Sequence, residues 1–186
     1  MTILEDSPVI AAVRGELDFE RALKADVSLV FHLNASILTL EDALARAHAA
    51  GKRLFVHIDL AEGIGRDAAG LSLLARMGTD GIISTRSVLI RHASECGLLT
   101  VQRFFIVDSH SVSTSIEAIE NTRPAMVELM PGVIPKIITR FADRTFSGSS
   151  IPVIAGGMID SKAEIVAALG AGAAAVSTGR AELWNI

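Results

Sequence analysis

The chain has 186 residues, of which 50% are hydrophobic and 20% are charged, and its formal net charge at pH 7 is −4. This length fits a single domain that spans residues 1–186, and the composition excludes a disordered chain. The acidic balance provides no general attraction to nucleic acid, so any RNA or DNA binding must come from a local patch.

Three features of the sequence indicate a cytoplasmic protein without membrane association. Glu5 and Asp6 lie where a signal peptide would carry positive charge. No uncharged apolar stretch reaches the ~20 residues that a membrane span requires. The only cysteine, Cys96, excludes an intramolecular disulfide and a cysteine-based zinc site, and it fits a reducing compartment.

Short apolar runs rich in β-branched residues recur along the chain, and each predicts a strand. In chain order they cover residues 9–13, 28–33, 54–60, 81–84, 99–105, 126–130, 153–155 and 173–177. They are continuously apolar rather than alternating, which is typical of parallel strands that are covered on both faces. Segments with helical periodicity separate them, so strands and helices alternate.

Glycines and capping residues mark the ends of the intervening helices. Four glycines follow helical runs and are expected to end them: Gly51, Gly78, Gly97 and Gly170. Thr39 with Asp42, and Ser161 with Glu164, have the spacing of capping boxes. We expect residues 147–150 to form a short flexible connection.

Eight strands, seven helices and a short final helix near residues 180–184 predict a compact (β/α)₈ TIM-type barrel. The alternative is an open, doubly wound sheet. Such barrels usually take about 250 residues, so short loops are expected here. Because barrels build their ligand sites from the loops that follow the strands, residues at the carboxyl ends of the strands are the candidates for function.

Two loops at these strand ends have the character of a phosphate site. Gly156 and Gly157 follow the seventh predicted strand, and Ser177 and Thr178 end the eighth. Glycine lets backbone amides approach an anion closely, and the start of a following helix adds partial positive charge. A tight turn without ligand is the alternative for the two glycines.

His57 and Asp59 are two residues apart on the third predicted strand, which places them on the same side. They could act as a base and its orienting acid, or bind ligand hydroxyls. A structural polar pair is the alternative. As metal ligands they lack an evident third protein partner, so no metal site is predicted.

Further charged residues lie near the same predicted edge. Arg14, Arg103 and Lys136 are cations that could complement an anion, or they could be ordinary solvated charges. Glu128 lies between two apolar neighbours and is expected to point inward. It could bond a ligand hydroxyl or pair with Arg103.

Seven segments in collinear order carry a resemblance to a known family. They are IAAV at residues 10–13, FVHIDL at 55–60, DGIIST at 80–85, TVQRFF at 100–105, ELMPG at 128–132 with PK at 135–136, PVIAGG at 152–157, and AVST at 175–178 with Trp184. Together they resemble the glycerol-3-phosphate-responsive antiterminators of glycerol uptake operons, over essentially the full chain. Arg14, where this family often has Lys, and Gly179-Arg180, where it has a polar pair without glycine, depart from the pattern.

The resemblance implies a non-enzymatic regulator with glycerol 3-phosphate as its effector and no cofactor. When loaded, it would bind the leader mRNA of a glycerol utilisation operon, so that transcription passes a terminator. Two alternatives remain from the residues alone. One is a barrel enzyme that acts on a small phosphate ester, with His57, Asp59 and Glu128 as acid–base candidates, and the other is a sensor that works through protein contact. The sequence does not determine the subunit count, and a homo-oligomer is compatible with it.

Overall fold

A computed structural model of the protein describes residue 4 and residues 7–186. Glu5 and Asp6, on which the signal-peptide argument depends, lie outside these residues. Within the described part of the chain, no helix has both the length and the apolarity to cross a membrane.

Ten strands and seven α-helices follow one another along the described chain. The strands are β1 (Val9–Val13), β2 (Leu29–His32), β3 (Arg53–His57), β4 (Gly81–Ser84), β5 (Leu99–Phe105), β6 (Met126–Met130), β7 (Thr145–Phe146), β8 (Ser149–Ser150), β9 (Val153–Gly156) and β10 (Ala175–Thr178). The helices are α1 (Glu16–Lys24), α2 (Leu40–Ala49), α3 (Ala68–Arg76), α4 (Ser87–Glu95), α5 (Ser109–Thr122), α6 (Pro135–Ala142) and α7 (Lys162–Gly170). A 3₁₀ turn, Ala181–Leu183, follows β10.

Eight of these strands close into a parallel barrel. Their order is β1, β2, β3, β4, β5, β6, β9 and β10, and β10 pairs with β1 to complete the ring. A doubly wound sheet would leave two free edges, so closure excludes that alternative. The predicted TIM-type barrel is confirmed.

Two apolar layers explain why the strands are continuously apolar. One fills the barrel interior and includes Phe31, Phe55 and Ile83. The other lies between the outer face of the barrel and the helices, and it includes Ile82 and Leu71. Successive residues such as Ile82 and Ile83 point to opposite faces, and both are fully buried.

Several predicted boundaries are wrong. The third strand ends at His57 and Asp59 lies in the turn beyond it, because the chain there leaves the sheet towards the β4 loop. Gly51, Gly78 and Gly97 have positive φ as expected, but Gly170 belongs to α7. There Gly172 makes the left-handed turn, with φ +100°, because hydrogen bonding of helical type continues through Ala171.

The capping predictions had different outcomes. The Ser161 hydroxyl accepts a hydrogen bond from the Glu164 amide, so this cap is confirmed. Thr39 precedes α2 without accepting a capping bond, because its hydroxyl is directed to the Ser36 carbonyl. The predicted flexible connection at residues 147–150 is instead part of an antiparallel hairpin formed by β7 and β8.

Candidate functional site

A cavity of about 370 Å³ opens at the carboxyl end of the barrel. Its walls come from the ends of β1, β5 and β6 and from the loops after β9 and β10. Six of the ten residues predicted for ligand binding line it: Arg14, Arg103, Glu128, Gly157, Ser177 and Thr178. The fold therefore gathers into one space residues that are up to 164 positions apart, from Arg14 to Thr178.

A buried network of polar side chains lies on one side of the cavity. The Arg103 Nε donates to Glu128 Oε2 at 2.5 Å, and the Ser177 hydroxyl donates to Glu128 Oε1 at 2.6 Å. Arg103 and Glu128 are register partners on neighbouring strands, and Glu128 is fully buried. The predicted pairing of Glu128 with Arg103 is confirmed. Because each charge has its partner, the site keeps a carboxylate and a guanidinium in the barrel interior.

The two adjacent glycines have different environments. A Cβ at Gly156 would lie 2.3 Å from Glu128 Oε1, so this glycine makes room for the buried carboxylate. Gly157 lines the cavity with φ +75°, a backbone conformation that favours glycine. Thus only the second glycine presents its backbone to the cavity.

Thr178 joins the two loops. Its hydroxyl donates to the Ile159 carbonyl at 2.9 Å and accepts from the Arg180 amide at 3.1 Å. The Trp184 indole also donates to the Thr178 carbonyl at 2.9 Å. These bonds hold the strand end against the loop that contains Gly157, so Thr178 shapes the cavity wall.

Positive charge at the cavity comes from three arginines. Arg103 is paired with Glu128, and Arg180 donates to Asp160 at 2.8 Å. Arg14 is exposed and forms no salt bridge with any residue that the structure describes. It is therefore the lining cation that can be directed at an anionic ligand.

His57 is buried, and its Nδ1 has no hydrogen-bond partner among the described residues. Burial lowers the pKa of His57 to about 4, and the nearby Arg103 guanidinium acts in the same direction. The imidazole is therefore neutral at physiological pH.

Asp59 has a different role from the one its spacing suggested. Its carboxylate accepts from the Ser84 hydroxyl at 2.9 Å and from the Thr85 amide at 2.7 Å. Burial alone would raise the pKa of Asp59, but these hydrogen bonds outweigh it and leave the pKa below its ordinary value. Asp59 thus ties the end of β3 to the β4 loop. It forms no hydrogen bond with His57 in the described structure, and neither residue lines the cavity.

Lys136 is not brought to this cavity. It is exposed near the start of α6 and lines a separate groove beside α5. Sequence reasoning also missed Met130, Ile159 and Asp160, which line the cavity. For Asp160, the signal was its position three residues after Gly157, in the loop predicted to hold phosphate. Nowhere in the described chain do three His, Cys, Asp or Glu side chains gather as metal ligands.

The closed barrel and its strand-end cavity, which is lined by arginines and a glycine loop, define a TIM barrel with a candidate ligand site at the carboxyl ends of its strands. Residues 9–184 match the model of the family "Glycerol-3-phosphate responsive antiterminator". The chain belongs to this family.

Two solved structures agree with this assignment, and one curated relative of uncharacterized function is similar over nearly the full chain. The glycerol uptake operon antiterminator regulatory protein of Listeria monocytogenes str. 4b F2365 is 31% identical, with a TM-score of 0.89 over 97% of this chain and 96% of that one. A glycerol uptake operon antiterminator-related protein of Thermotoga maritima MSB8 is 29% identical, with a TM-score of 0.84 over 96% and 98%. The uncharacterized protein YgcP of Escherichia coli K12 is 29% identical over 99% of this chain and 95% of its own length.

Proposed function

We propose that the protein senses glycerol 3-phosphate in the strand-end cavity and, when loaded, binds the leader mRNA of a glycerol utilisation operon in the cytoplasm. The observation that carries the ligand assignment is a cavity of about 370 Å³ that is lined by the Gly157 loop and by Arg14, which forms no salt bridge with any described residue. This volume is at the small end of ligand pockets, which suits a three-carbon phosphate ester.

The phosphate group fits the side of the cavity formed by the loops after β9 and β10. Gly157 lets the backbone approach an anion, and Arg14 supplies charge. Ser177 and Thr178 already donate their hydroxyl protons to Glu128 and Ile159. We therefore assign them, with Gly156, to holding the subsite in shape rather than to donating to the phosphate.

The glycerol hydroxyls fit the side formed by β5 and β6. Glu128 and Arg103 line the cavity there as an acceptor and a donor. Both are held by strand pairing and by each other, so the subsite is formed before the ligand arrives. His57 lies near Arg103 and Glu128 but outside the cavity lining, and Asp59 and Lys136 do not line the cavity either.

Regulation, rather than catalysis, is the function that the site supports best. An acid–base mechanism needs a base within reach of the substrate. His57 does not line the cavity, and Asp59 is occupied by hydrogen bonds from the β4 loop. The two carboxylates that do line the cavity, Glu128 and Asp160, are held in ion pairs with Arg103 and Arg180. The family description, a responsive antiterminator, also supports a regulator that acts on transcripts.

The experiment is a gel shift of the purified protein with the leader transcript, with and without glycerol 3-phosphate. We expect binding that glycerol 3-phosphate strengthens, because a ligand favours the conformation or oligomer for which it has higher affinity. Mass in solution, measured in parallel, distinguishes loop closure from dimer formation. Absence of RNA binding in both states would contradict the proposal and favour action through protein contact. Consumption of glycerol 3-phosphate by the protein alone would favour an enzyme.

A further inference from the structure

A second groove, of about 450 Å³, lies between the amino-terminal ends of α5 and α6. Its apolar lining includes Ile106, Val107, Ile134 and Ile137. Val107 is 82% exposed, so this lining includes a large apolar side chain that the barrel itself leaves uncovered. A groove with a mainly apolar lining and a few charged residues at its border has the composition of a binding site.

Two cations border this groove. Lys136 and Arg140 lie one turn apart on α6, are exposed, and form no salt bridge with any described residue. The carboxylate in the lining, Asp108, caps α5 by accepting from the Ser111 amide at 2.7 Å. Both cations are therefore available to a partner, in a chain whose net charge is −4.

We propose that this groove binds an unpaired segment of the leader RNA, an inference that rests on the proposed function. Backbone phosphates lie against Lys136 and Arg140, and a base lies on the apolar lining. Single-stranded nucleic acid is bound by this pairing of cations for phosphates with apolar or aromatic faces for bases. The groove has the volume for a nucleotide, and unpaired cations are the complement of a polyanion.

Phe105, an exposed aromatic residue at the end of β5, lies next to the groove segment in the chain. It is 58% exposed and directly precedes the groove residues Ile106 and Val107. Its register partner on β6 is Met130, which lines the ligand cavity. Phe105 is therefore the aromatic side chain placed to stack on a neighbouring base.

The loop between β6 and α6 connects the two sites. At one end the Gly132 amide donates to the Gly156 and Gly157 carbonyls at 2.7 and 3.0 Å, beside the proposed phosphate subsite. At the other end Ile134 and Lys136 line the groove. The Met130 carbonyl also accepts from the Ile106 amide at 2.7 Å. A ligand that changes the loop conformation at Gly157 thus changes the groove, which gives ligand-dependent RNA binding a physical route.

The test compares two double variants of equal charge. Lys136→Ala/Arg140→Ala removes the groove cations. Arg76→Ala/Arg91→Ala removes two exposed cations on α3 and α4. They line neither the ligand cavity nor the groove, and they form no salt bridge with described residues. The affinity of each protein for the leader transcript is measured across a salt series at saturating glycerol 3-phosphate, and the thermal shift caused by glycerol 3-phosphate is measured alongside.

We expect the Lys136/Arg140 variant to reduce the slope of log affinity against log salt by about 1.4, since each single-strand phosphate contributes about 0.7. The affinities of this variant and the wild type should converge near 1 M salt. One decade lower, at 0.1 M salt, the affinity of the variant is then about 25-fold below that of the wild type. The Arg76/Arg91 control should stay close to wild type, and the thermal shift caused by glycerol 3-phosphate should be equal in all three proteins.

The outcomes separate the two proposals. Wild-type slope in the Lys136/Arg140 variant, or a loss matched by the control, would overturn the groove while leaving RNA binding intact. Loss of the thermal shift caused by glycerol 3-phosphate in that variant would show that Lys136 contributes to ligand binding, and it would also overturn the groove proposal. Absence of RNA binding by the wild type would overturn the proposed function together with the groove, and it would favour an acidic peptide as the occupant.

Discussion

Gly156 faces Glu128 so closely that a methyl group on its α-carbon would lie 2.3 Å from Oε1 of the carboxylate. The same methyl group would lie 2.7 Å from the Ser177 hydroxyl oxygen, which donates to that carboxylate. The first glycine of the pair is therefore a packing requirement of the buried ion pair, and the second opens the loop towards the cavity.

Gly156→Ala should destabilise the protein by about 1–3 kcal/mol, because the added methyl group overpacks a buried site and pushes Glu128 away from its partners. Urea unfolding measures this change. Gly170→Ala is the matched control, because a Cβ there meets no atom within 4 Å and the position is helical. Equal free energies of unfolding for the two variants would show that Glu128 and Ser177 adjust to the methyl group without cost.

Gly157→Asp should abolish binding of glycerol 3-phosphate, because it places a carboxylate in the anion site. Isothermal titration calorimetry measures the affinity. Gly148→Asp is the control: Gly148 also has positive φ, at +86°, but lies in the β7–β8 hairpin in open space. Both variants carry similar backbone strain and the same added charge, and the variant at Gly157 must in addition displace the end of the Met130 side chain, which a Cβ there would meet at 2.6 Å. A folded Gly157→Asp protein with wild-type affinity would remove this loop from the site.

Glycerol 3-phosphate should stabilise the protein far more than glycerol does, because the phosphate supplies the contact with Arg14 and the Gly157 loop. At 100 times its dissociation constant, a ligand adds about 2.7 kcal/mol to the free energy of unfolding. Thermal shifts at matched concentrations of the two compounds measure the difference, and Arg14→Met should reduce it. Equal shifts from both compounds would contradict an anion-specific site.

The burial of His57 predicts a loss of stability in mild acid. Its pKa is lowered to about 4 in the folded protein, against 6.5 in the unfolded chain, so the unfolded chain binds the proton first. The contribution of His57 to the free energy of unfolding is fully present above pH 6.5 and is lost as the pH falls from there towards 4. Between pH 7 and pH 5 it amounts to roughly 2 kcal/mol.

His57→Gln isolates this contribution, because glutamine does not titrate. Burial also lowers the pKa of His32, so both the wild type and the variant lose stability in acid through His32. Only the additional loss in the wild type belongs to His57. Urea unfolding of both proteins at pH 7 and pH 5 gives the difference. Parallel stability profiles of the two proteins would show that His57 is protonated equally in the folded and unfolded states.

The sequence by itself determined the barrel and the loops that carry its site. Continuous apolar runs, each followed by a helical segment, predict parallel strands covered on both faces, and this pattern is local. The glycine pair that begins at Gly156 and the polar residues at the strand ends could be identified from the sequence because they, too, are local features. Their position along the strand places them at the carboxyl edge in any closed parallel barrel.

Only the tertiary structure decided how these residues divide their roles. Asp59 was assigned by alternation along a strand, but hydrogen bonds to Ser84 and Thr85 hold it in a turn. Lys136 follows a strand-end motif, yet the β6–α6 loop carries it away to a second groove. Sequence spacing specifies which side of a strand a residue occupies. It does not specify which residue from a distant strand meets it, because barrel closure and loop geometry set those contacts.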